Sequence, residues 1–338
     1  MVIWTPGTAR AARRIATAAA LGGGGATALG AAVYGLLMAE ALLARKMVGR
    51  PHGMDGPDAD GLYGTWASEG TAEPINPVNP INMVMLGDST SVGLGMTDPN
   101  TTPAVQLAGG LAAVAERPVR LSVFGRSGAV SADLPFQVDR ALRTDPDIAV
   151  IFVGANDVTT QTKPPLAVGH LKTAVRRLRE AGAEVVVGTC PDLGTVRPIG
   201  QPLRWVTRRW SRQLAAAQTV AVIEEGGRTV AFADVLGPEF DMNPGEMFGP
   251  DRYHPSLRGY QQSANVVLPS VCAALGLWPE PESERGEASQ SIYLAAAIAA
   301  EEPGTEVTAT RVAGRATGPQ GRWAAILRRR PGAMPRTA

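Results

Sequence analysis

Cysteine and histidine are scarce in this chain of 338 residues, which holds two of the first and three of the second. Two thiols, Cys190 and Cys272, exclude a disulfide-dense scaffold. Both lie in apolar stretches and read as buried side chains. Aromatic residues make up only 5% and the net charge is +1, so the chain as a whole offers no argument for nucleic acid. The glycine-rich stretch from Gly87 to Gly95 lacks both the Lys-Ser/Thr ending of a phosphate loop and the dinucleotide spacing, which argues against a nucleotide-binding domain. No internal repeat is present.

One long uncharged run does occur. Arg10, Arg13 and Arg14 precede residues 15–39, about 25 residues without a charge, enough to span a bilayer. Its length favours an uncleaved anchor over a cleaved export signal with small residues such as Ala39 and Ala41 at its end. Arg45, Lys46 and Arg50 nearly balance the leading arginines, so orientation rests on export: N-terminus inside, body outside. The expected divisions are 1–48, cytoplasmic tip and anchor or signal; 49–79, a Gly/Pro/Asp/Asn-rich linker; 80–278, the folded domain; and 279–338, a C-terminal extension. That extension holds an Ala-rich helix candidate at 288–301 and a basic tail from Arg311 to Arg330.

Within the body, strand-like runs at 81–86, 119–124, 148–153, 184–188 and 229–233 alternate with helical patterns. The helices fall at 103–116, 132–143, 164–181, 202–225 and 256–275. Continuous apolar strands between amphipathic helices predict an α/β fold, a five-stranded parallel sheet in a three-layer α/β/α sandwich. In the 202–225 helix, Leu203, Val206, Trp210, Leu214, Ala217 and Ala221 form a core stripe. Arg204, Arg208 and Arg212 recur every four residues and read as a solvated face.

The chemistry gathers in four short segments. Gly87-Asp88-Ser89-Thr90 follows the first strand and presents Ser89 as a nucleophile at the carboxyl edge of the sheet, where open α/β folds bind ligands. A serine hydroxyl needs an adjacent base. His254, in Asp251-Arg252-Tyr253-His254-Pro255, is the candidate, since His52 lies in the linker and His170 inside an amphipathic helix. Asp251, three residues earlier, can reach back to the imidazole Nδ1 and hold its tautomer. Asn156, in Gly154-Ala155-Asn156-Asp157, can donate to a developing oxyanion beside the Ser89 N–H. A third donor is expected from Gly125-Arg126-Ser127-Gly128, with Gly128 the choice and Gly125 the fallback. A helix is expected to start soon after Thr90.

These segments resemble the SGNH/GDSL hydrolase superfamily, in its actinobacterial single-domain esterase form. Ser89, Gly128, Asn156 and the Asp251–His254 pair match its blocks in order, across residues 80–278. Thr90 replaces the usual Leu or Ile, and the asparagine often found before the glycine of the second block is missing. The resemblance implies a flavodoxin-like sandwich, no metal or cofactor, and acyl-ester hydrolysis through an acyl-serine intermediate. Pro191-Asp192-Leu193-Gly194 resembles a loop of related esterases and is a candidate wall of the acyl pocket.

The expected function is therefore a serine esterase acting on short-chain acyl or acetyl esters, membrane-held outside the cytoplasm or secreted, and monomeric. The alternatives are an O-acyltransferase or deacetylase acting on cell-envelope glycans or lipids, and a non-catalytic binding domain.

Overall fold

The computed structural model describes residues 26–47, 56–64, 79–277, 310–312 and 315–317. Five parallel strands form its centre: β2 (Ile81–Gly87), β3 (Val119–Val123), β4 (Ile148–Phe152), β5 (Glu184–Gly188) and β6 (Arg228–Val230). A sixth strand, β1 (Gly61–Tyr63), joins the edge antiparallel to β3, giving the order β1-β3-β2-β4-β5-β6. The sheet is thus mixed and six-stranded, and the expected linker at 49–79 supplies its outer strand. Asp60 explains the attachment, since its Oδ1 accepts the Val123 N–H at 2.7 Å. A short pairing of β7 (Thr310–Val312) with β8 (Arg315–Thr317) stands apart from this sheet.

The helices, in chain order, are α1 (Ala26–Met47), α2 (Pro103–Ala115), α3 (Leu134–Ala141), α4 (Ala155–Thr159), α5 (Pro164–Glu180) and α6 (Leu203–Glu224). Three short ones follow, α7 (Phe232–Val235), α8 (Gly237–Met242) and α9 (Pro244–Met247), and then α10 (Leu257–Ala274). The expected strand at 229–233 stops early, because Phe232 already opens α7.

Alternation within the strands divides the core. Met83 and Met85 face one side with Leu107, Leu111, Val267 and Val271 of α2 and α10. Val84 and Leu86 face the other with Leu134, Val138 of α3 and Leu171, Val175 of α5. Both faces of a parallel sheet are covered, as its continuous apolar strands require.

Among the described residues no helix is long and apolar enough to cross a membrane. Helix α1 covers the second half of the uncharged run at 15–39; residues 15–25 and the helix expected at 288–301 lie outside the described residues. The last turns of α1 are tied to the body. Ala44 is buried in the core, the Glu40 carboxylate accepts the Leu203 N–H at 2.8 Å, and the Met47 carbonyl accepts from the Arg252 guanidinium at 2.5 Å.

Two expectations for α6 are corrected. Trp210 is exposed, while the polar Thr207, Ser211 and Gln218 are buried. The arginines do not form a solvated face. Arg212 is buried between Asp192 and Asp234, Arg208 also pairs with Asp192, and Arg204 donates to the Ile199 and Arg197 carbonyls. They turn inward because the 191–200 loop carries a buried carboxylate and unpaired carbonyls that need donors. The cysteines are free and buried, and burial pushes both thiols up.

Candidate active site

The carboxyl ends of β2 and β4 lie side by side, with Gly87 opposite Phe152. Strand order reverses direction here, since the chain leaves β2 for β3 on one side and later returns to β4 on the other. That switch point is where open α/β sheets form a crevice. Gly87 makes the approach feasible. Its φ is +125°, and a Cβ there would stand 1.8 Å from the Phe152 carbonyl oxygen.

Ser89 follows in a series of turns rather than at a helix start. Ser91 N–H bonds the Asp88 carbonyl at 3.1 Å and Leu94 N–H the Ser89 carbonyl at 3.0 Å. The expected helix after Thr90 is absent, so no helix dipole acts on the hydroxyl; glycines at 93 and 95, both with positive φ, keep the segment turning. Tyr260 of α10 fixes it from above, its hydroxyl donating to the Leu94 carbonyl at 2.8 Å.

The Asp251–His254 segment is a closed loop. Gly249 N–H bonds the His254 carbonyl at 2.8 Å and Ser256 N–H the Met247 carbonyl at 2.9 Å, which clamps its base. Arg252 takes a left-handed φ of 58° to turn the chain. Asp251 then closes the loop from inside. Its Oδ1 accepts the Tyr253 and His254 N–H groups, both at 3.0 Å, and its Oδ2 lies 2.6 Å from His254 Nδ1. His254 Nε2 lies 3.1 Å from Ser89 Oγ. Burial alone would raise the Asp251 carboxyl; the bonds from His254 and the two amides outweigh it and hold it below its usual range. The carboxylate therefore stays charged beside the imidazole.

Asn156 sits on α4, after Gly154, and donates through Nδ2 to the Ala129 carbonyl at 3.0 Å. This leaves one amide hydrogen for a ligand. The Gly125 N–H is occupied by the Met85 carbonyl at 3.3 Å, which removes the fallback donor. Among the described residues the Ser89 and Gly128 N–H groups have no acceptor. Gly128, at φ +76°, does not line the cavity beside Ser89, whereas Ser89, Asn156 and His254 do.

That cavity holds about 80 Å³ and is walled by Phe152, Leu193, Val196, Phe232, Phe240 and Phe248. Asp192 belongs to its wall and also caps the turn at Leu193–Thr195 through the Gly194 N–H at 2.8 Å.

Several supporting residues escaped the sequence reading. Asp157, beside Asn156, is buried and accepts from Ser131 N–H at 3.0 Å and Ser131 Oγ at 2.8 Å, pinning the chain after Gly128. Burial raises its carboxyl, against the lowering effect of those bonds. Gln218 accepts the Cys190 N–H at 2.8 Å and donates to the Val153 carbonyl at 3.1 Å, joining β4 and β5 beyond their last paired residues. Asp88 is buried against Ser89, and burial pushes its carboxyl up to about 6 despite the Thr90 N–H bond and the nearby His254. A glutamine at helical spacing among apolar residues, as at Gln137 between Leu134, Val138 and Ala141, is the signal that would have exposed such contacts.

The pattern of the GDSL-like lipase/acylhydrolase family matches residues 85–262. A GDSL-like esterase of Mycobacterium tuberculosis is 38% identical over 264 residues, covering 77% of this chain and 83% of that protein. The crystal structure of TesA is 21% identical with a TM-score of 0.44, covering 57% of this chain and 99% of TesA. Axe2, an acetylxylan esterase from Geobacillus stearothermophilus, is 20% identical with a TM-score of 0.43, covering 58% and 94%.

Proposed function

The chain belongs to the GDSL-like lipase/acylhydrolase family and is a carboxylic ester hydrolase, and from that premise we propose that it cleaves short-chain acyl esters through an acyl-serine intermediate on Ser89. The observation that carries this reading is the unbroken contact from Asp251 Oδ2 to His254 Nδ1 and from His254 Nε2 to Ser89 Oγ.

In the proposed reaction Ser89 Oγ attacks the ester carbonyl as its proton passes to His254 Nε2. Asp251 stabilises the imidazolium and keeps Nδ1 protonated. The carbonyl oxygen, now negative, takes hydrogen bonds from the Ser89 N–H and Asn156 Nδ2, and the Gly128 N–H, set outside the cavity wall, is the third donor that the family resemblance implies. The tetrahedral adduct collapses, the bond to the alcohol oxygen breaks, and His254 gives that oxygen its proton. Water then loses a proton to His254, attacks the acyl carbon and expels Ser89, which recovers the proton. The acid leaves and the enzyme is restored.

Size supports short acyl groups. The cavity, about 80 Å³, is roughly half the ~150 Å³ that accommodates a benzene molecule in an apolar protein interior. A chain of a few carbons fits, and its apolar walls favour hydrocarbon over a charged group. We further propose that the uncharged run at 15–39 holds the enzyme in the membrane with its catalytic body outside the cytoplasm. Protease added to intact cells degrades an outward-facing body and spares an inward-facing one.

Hydrolysis of p-nitrophenyl esters from acetyl upward by the full chain, with Ser89→Ala as control, tests the catalytic reading. Serine-dependent turnover that is greatest for the shortest chains is expected. Turnover unaffected by Ser89→Ala would overturn it. Ester products formed with an added alcohol would instead identify an acyltransferase.

A further inference from the structure

We propose that the catalytic rim of the molecule docks onto a lipid bilayer surface. Each helix that follows a parallel strand runs back across the sheet, so its first residues stand at the same edge as Ser89 and His254. At that edge large apolar side chains point into solvent. Phe136 is the third residue of α3 and 74% exposed, Trp205 the third of α6 and 61% exposed, and Leu166 the third of α5 and also exposed. Leu257 opens α10, two residues after the His254-Pro255 step, and is exposed as well. Met242 closes α8 at 73% exposure, two residues beyond Phe240 of the cavity wall. Toward the opposite edge exposure is lower: Val114, at the end of α2, and Leu277, after α10, are exposed by 38% and 37%, and Leu62 of β1, beside Arg120 near the start of β3, by 46%.

A second observation names the occupant. Helix α1 ends at this same edge, fastened through Glu40 to the first residue of α6 and through Met47 to Arg252, the neighbour of Asp251. It exposes Val33 and Leu36 before those fastenings and Leu42 and Leu43 between them. The end of an exposed apolar helix and several exposed apolar side chains, a tryptophan among them, therefore share one edge of the sheet, as at the lipid-facing side of an interfacial protein. Singly scattered exposed apolar residues need no explanation, but five along the edge that carries Ser89 and His254 do. The inference goes beyond the ester reading, since the rim meets lipid whichever ester is cleaved. It also differs from anchoring, which residues 15–39 could achieve with the rim held clear of the bilayer.

The test uses the full chain carrying one new cysteine, at Phe136→Cys, Met242→Cys or, as the opposite-edge control, Val114→Cys. Cys190 and Cys272 are buried, so a polarity-sensitive nitrobenzoxadiazole label goes to the new thiol. Phosphatidylcholine vesicles with and without phosphatidylglycerol are then added. A blue shift with gain of intensity at positions 136 and 242, and none at 114, is the expected result. Vesicle binding without any rim response would overturn the proposal while leaving the anchor intact. So would an equal response at all three positions. A shift that follows protein concentration without vesicles would assign the rim to a second copy of the chain and equally overturn it.

Discussion

Gln137 holds both backbone atoms of Gly87: its Oε1 accepts the Gly87 N–H at 2.6 Å and its Nε2 donates to the Gly87 carbonyl at 2.9 Å. One amide side chain of α3 thus finishes the end of β2 where the ladder stops, two residues before Ser89. Gln137→Ala leaves a buried N–H without a partner, and the expected loss is about 1–3 kcal/mol of stability. Urea unfolding measures that loss, and a lowered kcat on p-nitrophenyl acetate reports the displaced hydroxyl.

Asn156→Ala tests the oxyanion donor. Its loss is expected to lower kcat by about 10²–10³-fold. KM changes little, because the interaction strengthens mainly as charge develops. Steady-state kinetics separates the two quantities.

Arg212→Ala strips a guanidinium from two buried carboxylates, Asp192 and Asp234. Breaking a buried pair from one side costs about 3–5 kcal/mol. Arg208→Ala, at a half-exposed position, costs much less. The difference in thermal midpoint between the two variants measures this contrast. Because Asp192 belongs to the cavity wall, Arg212→Ala also raises KM for the preferred ester.

Asp88 gives a pH signature. Its carboxyl rises from an ordinary 3.8 to about 6 in the folded chain. Below the ordinary value both states are protonated and nothing is lost. As pH climbs through this window the unfolded carboxyl ionises first, so the folded state loses stability until about pH 6. Asp88→Asn does not titrate there, and it should gain on the parent by up to about 3 kcal/mol between about pH 4 and about pH 7. Denaturant midpoints at the two pH values decide the matter; an equal offset at both would refute it.

Much of the sheet was legible because parallel strands buried on both faces leave unbroken apolar runs, as in β4 and β5. The edge strand β1 was not, since three residues in a Gly/Pro-rich stretch carry no periodicity; a short antiparallel ladder to β3 and one bond to the Asp60 side chain hold them. Helix α6 was misread for a different reason. Its arginines recur at the spacing of a solvated face, but their partners, Asp192 and Asp234, come from the segments that follow β5 and β6. Spacing along one helix cannot reveal charges waiting in another segment. The same holds at the site. Ser89, Asp251, His254 and Asn156 stand in short telling motifs, whereas Gln137 and Gln218 act on backbone atoms that no motif marks.

Ser89 and His254 touch across 165 residues of chain. During synthesis the strands and helices up to β6 leave the ribosome ahead of the histidine. Until that last segment emerges and α10 docks against α2, the serine is an ordinary hydroxyl. Hydrolytic power is therefore switched on by completion of the polypeptide. A chain cut short before residue 254 lacks the base and, with α10, the Val267 and Val271 cover of one sheet face, so it can neither activate Ser89 nor complete its core.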